Sequence, residues 1–139
     1  MPERPRNLQQ GTSMKPVSIL IVEDERIIAL DLRAKVARLG HTVAGMAHTG
    51  EDAVRLAREL EPSLVLMDIM LDGGMDGVEA ARRISLEREI PVIFVSACND
   101  AVTKERACQT CFAGFVSKPV DPADLAARIE AALAAHPCG

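Results

Sequence analysis

Aromatic side chains are almost missing from this chain of 139 residues, which has three Phe, no Trp and no Tyr. Its interior must be filled by Val, Ile, Leu, Ala and Met, and it lacks the stacking platforms that hold single-stranded nucleic acid. A basic excess is missing too. Sixteen Lys and Arg stand against 20 Asp and Glu, a formal charge of −4. That is the wrong sign for sequence-independent attachment to a phosphate backbone, so the chain by itself is not expected to bind nucleic acid. No apolar run approaches the roughly 20 residues that span a bilayer. The opening stretch MPERPRNLQQGTSMKP also lacks the hydrophobic centre of a signal peptide. The expectation is a soluble, cytoplasmic chain with no membrane partner. Cysteine is sparse: Cys98, Cys108, Cys111 and Cys138 are too few and too unevenly placed for a disulfide scaffold. Cys108 and Cys111 form a CxxC, but His41, His48 and His136 are scattered singly and supply no matching zinc ligands. The pair falls on an expected helix, away from any strand-to-helix redox turn, and reads as small apolar residues of that helix.

What is present suits one domain with a single core. Residues 1–15 are rich in Pro, Arg and Gln without a period and read as a disordered N-terminal arm, followed by a domain over 16–136 and a short tail, 137–139. From Val17 strand and helix signals alternate. VSILIV is a buried strand by length and composition. Glu25 to Leu39 then carries Ile28, Leu32, Val36 and Leu39 on one helical face and stops at Gly40. HTVAGMAH is the second strand, weakened by its central Gly. Thr49 and Asp52 resemble a capping box for a second helix, whose inner stripe is Ala53, Leu56 and Leu60 and whose end is Pro62. SLVLMD is the third strand. Asp76 to about Glu87 is a helix with Val78, Ala81 and Ile84 inward. PVIFVS is the fourth strand, Asp100 to about Gln109 the fourth helix, and AGFVS the fifth strand. Asp121 as N-cap and Pro122 at the first helical position open a last helix with Leu125, Ile129, Ala132 and Leu133 inward.

Five strands alternating with five helices imply a doubly wound α/β fold, an open parallel sheet covered on both faces. Sites in such sheets lie beyond the carboxyl ends of the strands, where the strand order reverses. Those ends carry Glu23 and Asp24 after strand one, Ala47 and His48 after strand two, Asp68 after strand three, Ser96 after strand four and Lys118 after strand five. Crowded carboxylates repel unless a cation intervenes. Lys118 is one such cation, and a hard divalent metal with oxygen ligands is another, Mg²⁺ fitting best. A carboxylate beside a metal, a fixed ammonium and a hydroxyl can attack phosphorus and become an aspartyl phosphate. Asp68 is the best nucleophile candidate, because its strand is central and its neighbours on both sides supply helpers. Each feature alone has a plainer reading. Glu23 and Asp24 could cap the first helix, Lys118-Pro119 could be a turn, and Ser96-Ala97 says nothing. At the ends of strands in one sheet they form a joint signal.

With these motifs the sequence resembles the receiver domains of two-component response regulators, the CheY-like family. The resemblance covers about Val17 to Ala135 and rests on ILIVEDE, LVLMDIML with MDGVEAARRI, PVIFVSA and GFVSKPV. It implies a flavodoxin-like five-stranded sheet of order 2-1-3-4-5. It also implies Asp68 as phosphoacceptor from a phosphohistidine of a sensor histidine kinase or histidine phosphotransfer protein. By the same resemblance Asp24 and Asp68 bind Mg²⁺ or Mn²⁺ directly, Glu23 through water and Met70 through its carbonyl. Lys118 becomes the phosphate contact, Ser96 the switch hydroxyl, Phe115 the rotating aromatic, and the Lys118–Pro119 bond cis. Met70 and Cys98 fall where the family tunes dephosphorylation, and two uncharged side chains there imply moderate or slow loss of phosphate. Asp76 reads as a helix cap and Asp72 as a solvated loop charge. LDGGMDG departs from the family pattern by one extra residue containing Gly73-Gly74.

The function implied is a phosphorylation-dependent switch. It would reshape the surface of the fourth helix, fifth strand and last helix for an unknown downstream protein or for phosphorelay. The receiver would catalyse only its own phosphorylation and dephosphorylation. No output domain is visible in these 139 residues, which suits a stand-alone receiver and a part of a longer protein alike. An aspartyl-phosphate phosphatase would want a second Asp two positions after the nucleophile, where Met70 stands. A nucleotide-binding module would want Gly-x-Gly-x-x-Gly or a Walker lysine after strand one, where VEDER stands. Action through unphosphorylated homodimerisation stays open.

Overall fold

Runs of Val, Ile, Leu and Met without polar alternation mark strands that are covered on both faces. A computed structural model describes residues 16–97, 105–106 and 113–134. In order these form β1 (Ser18–Val22), α1 (Arg26–Arg38), β2 (Thr42–Ala47), α2 (Gly50–Leu60), β3 (Leu64–Asp68), α3 (Gly77–Glu87), β4 (Val92–Ser96), β5 (Gly114–Ser117) and α4 (Pro122–Ala134). All strand pairs are parallel and the sheet order is β2-β1-β3-β4-β5, a doubly wound order and the one the family resemblance implies. The order reverses between β1 and β3. The described residues contain four helices. Glu105 and Arg106 are helical, and the rest of the helix expected over Asp100 to Gln109 lies outside the described residues. So do the expected arm 1–15, the tail 137–139, Cys98 and the Cys108/Cys111 pair.

Successive strand residues point to opposite faces, so the sheet divides the core in two. Leu20, Val22, Val65, Met67 and Phe94 pack under α2 and α3 with Ala53, Ala57, Val78 and Ile84. Ile19, Ile21, Leu64, Leu66, Ile93 and Val95 pack under α1 and α4 with Leu32, Val36, Leu125 and Ile129. Each such side chain removed from water contributes about 1.5–3 kcal/mol. The two layers fix the height and twist of the strand ends that follow.

Two local readings need correction. Leu60, expected on the inner stripe of α2, is 40% exposed, and Ala57 is buried in its place. The cause is Gly45. β2 bulges between the partners of Ile19 and Leu20, and a Cβ at Gly45 would lie 2.8 Å from Leu60 Cδ1. Leu60 therefore covers the glycine at the sheet edge instead of entering the core. Glu23 and Asp24 do not cap α1. Its N-cap is Glu25, which makes no side-chain capping bond. The other expected caps are present. Thr49 accepts from the Asp52 N–H at 3.0 Å, Asp76 from Glu79 at 3.0 Å and Asp121 from Asp124 at 3.0 Å.

α3 begins hard against the end of β3. The Gly77 N–H donates to the Ile69 carbonyl at 2.8 Å. A Cβ at position 77 would lie 1.9 Å from the Asp68 carbonyl oxygen and 2.8 Å from Ile69 Cα. Those are backbone atoms and cannot swing away. Gly77→Ala is expected to destabilise the protein by about 3 kcal/mol or more, at the upper end of overpacking costs. Urea denaturation checks this, and a wild-type midpoint would contradict it.

Candidate functional site

The C-terminal edge of the sheet gathers the residues singled out at the strand ends. Glu23 follows β1, Asp68 ends β3, Ser96 ends β4 and Lys118 follows β5. Glu23, Asp68 and Ser96 are 0%, 4% and 2% exposed. Lys118 Nζ lies 2.9 Å from Glu23 Oε1 and 3.4 Å from Asp68 Oδ2. The first contact is an ion pair at hydrogen-bond range, and it helps hold the Lys118 ammonium charged. Carboxylate oxygens of Glu23, Asp24 and Asp68 lie within 4.8 Å of one another. Asp24, Glu25, Asp68, Met70, Asp72, Ala97 and Lys118 line an open cleft of about 560 Å³ above them.

Backbone donors hold the acids. Glu25 N–H donates to Glu23 Oε2 at 3.2 Å, Met70 N–H to Asp68 Oδ1 at 3.2 Å, and Asp72 N–H to Asp24 Oδ2 at 3.1 Å. In the lengthened loop Gly73 adopts φ +102°, a conformation suited to glycine, just after the Asp72 amide that bonds Asp24. The Asp72 side chain is exposed, as is Met70 at 63%. Met70 thus lines the cleft with an exposed, uncharged side chain. The Lys118–Pro119 peptide is cis, and the Lys118 N–H donates to the Ser96 carbonyl at 3.1 Å. Phe115 is half-buried with its ring tilted 55° to Phe94, centroids 6.2 Å apart. Asp76 does two jobs: Oδ1 caps α3 and Oδ2 takes the Arg106 guanidinium at 2.9 Å.

Three features were not legible in the sequence as site residues. The Asp72 amide, Glu25 as a lining residue, and His48, whose Nδ1 lies 2.8 Å from the Glu23 carbonyl, all belong to the edge. Only His48 had a signal, its place at a strand end.

Three carboxylates thus face one ammonium. Burial first, and then the neighbouring Glu23, push the Asp68 carboxyl up to about 7 against the pull of Lys118 and the Met70 N–H. Burial pulls the Lys118 ammonium down, but the two carboxylates together hold it above its ordinary value. The surplus of oxygen ligands over positive charge is the donor set a hard divalent cation requires, and the residues fit one.

Residues 19–130 match the response regulator receiver domain, and the chain belongs to that family. It is therefore a receiver domain, a signalling module of two-component systems. The phyllosphere-induced regulator PhyR of Methylorubrum extorquens is 40% identical over 116 residues, covering 83% of this chain and 43% of that protein. The transcriptional regulatory protein AfsQ1 of Streptomyces coelicolor is 39% identical over 116 residues, covering 84% and 51%. The chain spans about half the length of these relatives. Among solved structures, the signal receiver domain of a modulated diguanylate cyclase from Desulfovibrio desulfuricans G20 superposes with TM-score 0.82 at 40% identity, covering 86% of this chain and 95% of that one. No helix of the described residues is long and apolar enough to cross a membrane.

The raised Asp68 pKa has a measurable consequence. An unfolded aspartate releases its proton near 3.8, whereas the folded one keeps it to about 7. Across that window the folded state binds more protons, so its stability falls as pH rises. In metal-free buffer Asp68→Asn is expected to gain stability over wild type between about pH 4 and about pH 7, with an upper bound of about 4 kcal/mol that water in the cleft reduces. Denaturation at a series of pH values tests this, and a pH-independent difference would contradict it.

Proposed function

We propose that this receiver is a phosphorylation-dependent switch with Asp68 as phosphoacceptor. The observation that carries the reading is the Lys118 ammonium between Asp68 and Glu23, lining with Asp24 an open cleft at the strand ends. One Asp68 oxygen attacks the phosphorus of a phosphohistidine on a sensor kinase or phosphotransfer protein. A P–O bond forms, the P–N bond breaks, and its electron pair returns to the imidazole, which takes a proton from water. The chain's own part is mostly placement and charge neutralisation. Lys118 meets a phosphoryl oxygen once the phosphoryl group occupies the cleft, and the Ser96 hydroxyl donates to another.

Asp24 and Asp68 would hold Mg²⁺ or Mn²⁺ directly, with Glu23 through water and the Met70 carbonyl alongside. Such an ion supplies the positive charge that balances the cluster and the phosphoryl oxygens. Movement of Ser96 toward phosphate and of Phe115 inward would carry the change to the surface of β5, α4 and the helix containing Glu105 and Arg106. The two relatives are named as regulators, which supports an output through a downstream protein or phosphorelay.

With a small phosphodonor and Mg²⁺, intact mass is expected to rise by one phosphoryl group. The gain should vanish in Asp68→Asn and with chelator, and its rate should fall about 100-fold in Lys118→Ala, the scale for losing a preorganised charge contact. Labelling that survives Asp68→Asn would refute the assignment. Because Met70 offers no base or hydrogen-bond donor to an attacking water, the phosphoprotein should outlast purification. Its loss within seconds would contradict that.

A further inference from the structure

The β1–β2 ladder ends at the pair Val22 and Ala47, yet Glu23 one residue on is still held from the β2 side. Its N–H donates to the Ala47 carbonyl at 3.0 Å. Its carbonyl lies 2.8 Å from Nδ1 of half-buried His48. A carbonyl oxygen can only accept, so Nδ1 carries the proton. The imidazole therefore takes the place of the next backbone donor, which β2 no longer supplies because the chain turns into the Thr49 cap of α2. Glu23 is fully buried, and an unmet carbonyl there would have no water to turn to.

The bond acts on both acids. The Glu23 carbonyl belongs to the rigid peptide plane that joins Glu23 to Asp24. Holding that oxygen fixes the plane, and with it the directions in which the two side chains leave the backbone. Glu23 then points under the sheet edge to Lys118, and Asp24 points into the cleft toward the Asp72 amide.

We propose that His48 is a positioning residue: its Nδ1–H clamps the Glu23–Asp24 peptide plane and so sets the mutual orientation of the two carboxylates. The consequence for metal rests on the reading that these acids hold a divalent cation. The clamp itself does not.

Two variants separate the bond from the bulk of the ring. His48→Leu removes the donor and keeps an apolar side chain, whereas His48→Asn returns an N–H donor close to the Nδ1 position. In metal-free wild-type protein, amide exchange should show the Glu23 and Glu25 N–H groups protected. His48→Leu should lose that protection about 10-fold or more while β3 amides stay unchanged, and His48→Asn should recover most of it. Calorimetric Mg²⁺ titration should show affinity falling about 10-fold in His48→Leu and returning in His48→Asn, as for residues that orient metal ligands. Unchanged exchange at Glu25 in His48→Leu, or His48→Asn exchanging like His48→Leu, would overturn the proposal. If wild type takes up no Mg²⁺, the metal reading fails while the exchange data still decide the clamp. Should His48→Leu not fold, ¹⁵N shifts of the wild-type ring decide it. A proton on Nδ1 agrees, and a neutral ring protonated at Nε2 overturns it.

Discussion

Lys118 follows β5, yet its ammonium lies 2.9 Å from a carboxylate after β1 and 3.4 Å from one that ends β3. Two carboxylates with almost no exposure cannot both stay charged side by side unless a cation lies with them. Even beside the ammonium the Asp68 carboxyl keeps its proton up to about 7; without it the proton would be held more tightly still, or the edge would have to open to water. Lysine suits the task. A compact charge on a flexible stem reaches past β4 and serves two oxygens from different strands, which a planar guanidinium fork does less well. Its backbone is tethered at the same time, since the Lys118 N–H bonds the Ser96 carbonyl at the end of β4. One residue thus fastens four of the five strand ends together.

Around that contact the oxygens divide their work. Glu23 gives Oε1 to Lys118 and Oε2 to the Glu25 amide, and Asp68 gives Oδ2 to Lys118 and Oδ1 to the Met70 amide. Asp24 has Oδ2 on the Asp72 amide and faces the cleft. Each acid is thus steered by a main-chain N–H from a turn, which holds its angle without adding a full charge. Such bonds favour the ionised form but cannot balance three negative groups. The negative surplus stays on the cleft side, where a cation and a phosphoryl group can reach it. The backbone close to Asp68 is as constrained as its side chain. Gly77 presses on the Asp68 carbonyl so closely that no Cβ fits between, so the nucleophile candidate is held from below by α3.

The sequence exposed the parts of this arrangement that depend on side-chain identity. Buried strands read as unbroken apolar runs because both faces are covered, and the strand ends stood out because charged residues follow those runs at once. Asp76 separated from Asp68 through its place before a helix, where its Oδ1 caps α3. Contacts made by main-chain atoms left no such mark. Nothing in the letters says that the Asp72 amide folds back to Asp24, 48 residues away, because any residue carries that N–H. Leu60 failed for a related reason. Helical period places it inward, but the decisive fact is the missing side chain at Gly45 across the bulge, a pairing that only the register reveals. His48 was visible at a strand end, yet its partner is a carbonyl.

A change of charge at Asp68 can load only the elements that Asp68 or its close neighbours touch. Through Gly77 it meets the start of α3, and the same start carries Asp76, whose second oxygen holds Arg106 at 2.9 Å. Through the β3–β4 register it lies beside Val95, between Phe94 and Ser96, and Phe94 packs on Phe115 of β5. Two routes therefore leave the site, one over the top of α3 by an exposed ion pair and one through the sheet by ring contact. They differ in strength. Exposed ion pairs contribute at most about 1 kcal/mol, whereas aromatic contacts add to burial that is already large. The contacts on the sheet side are therefore the stronger of the two sets, and the Asp76–Arg106 pair is the weaker. That ordering follows from where the water is: the Asp76–Arg106 pair is in contact with solvent, whereas Phe94 is fully buried and Phe115 lies half-buried against it.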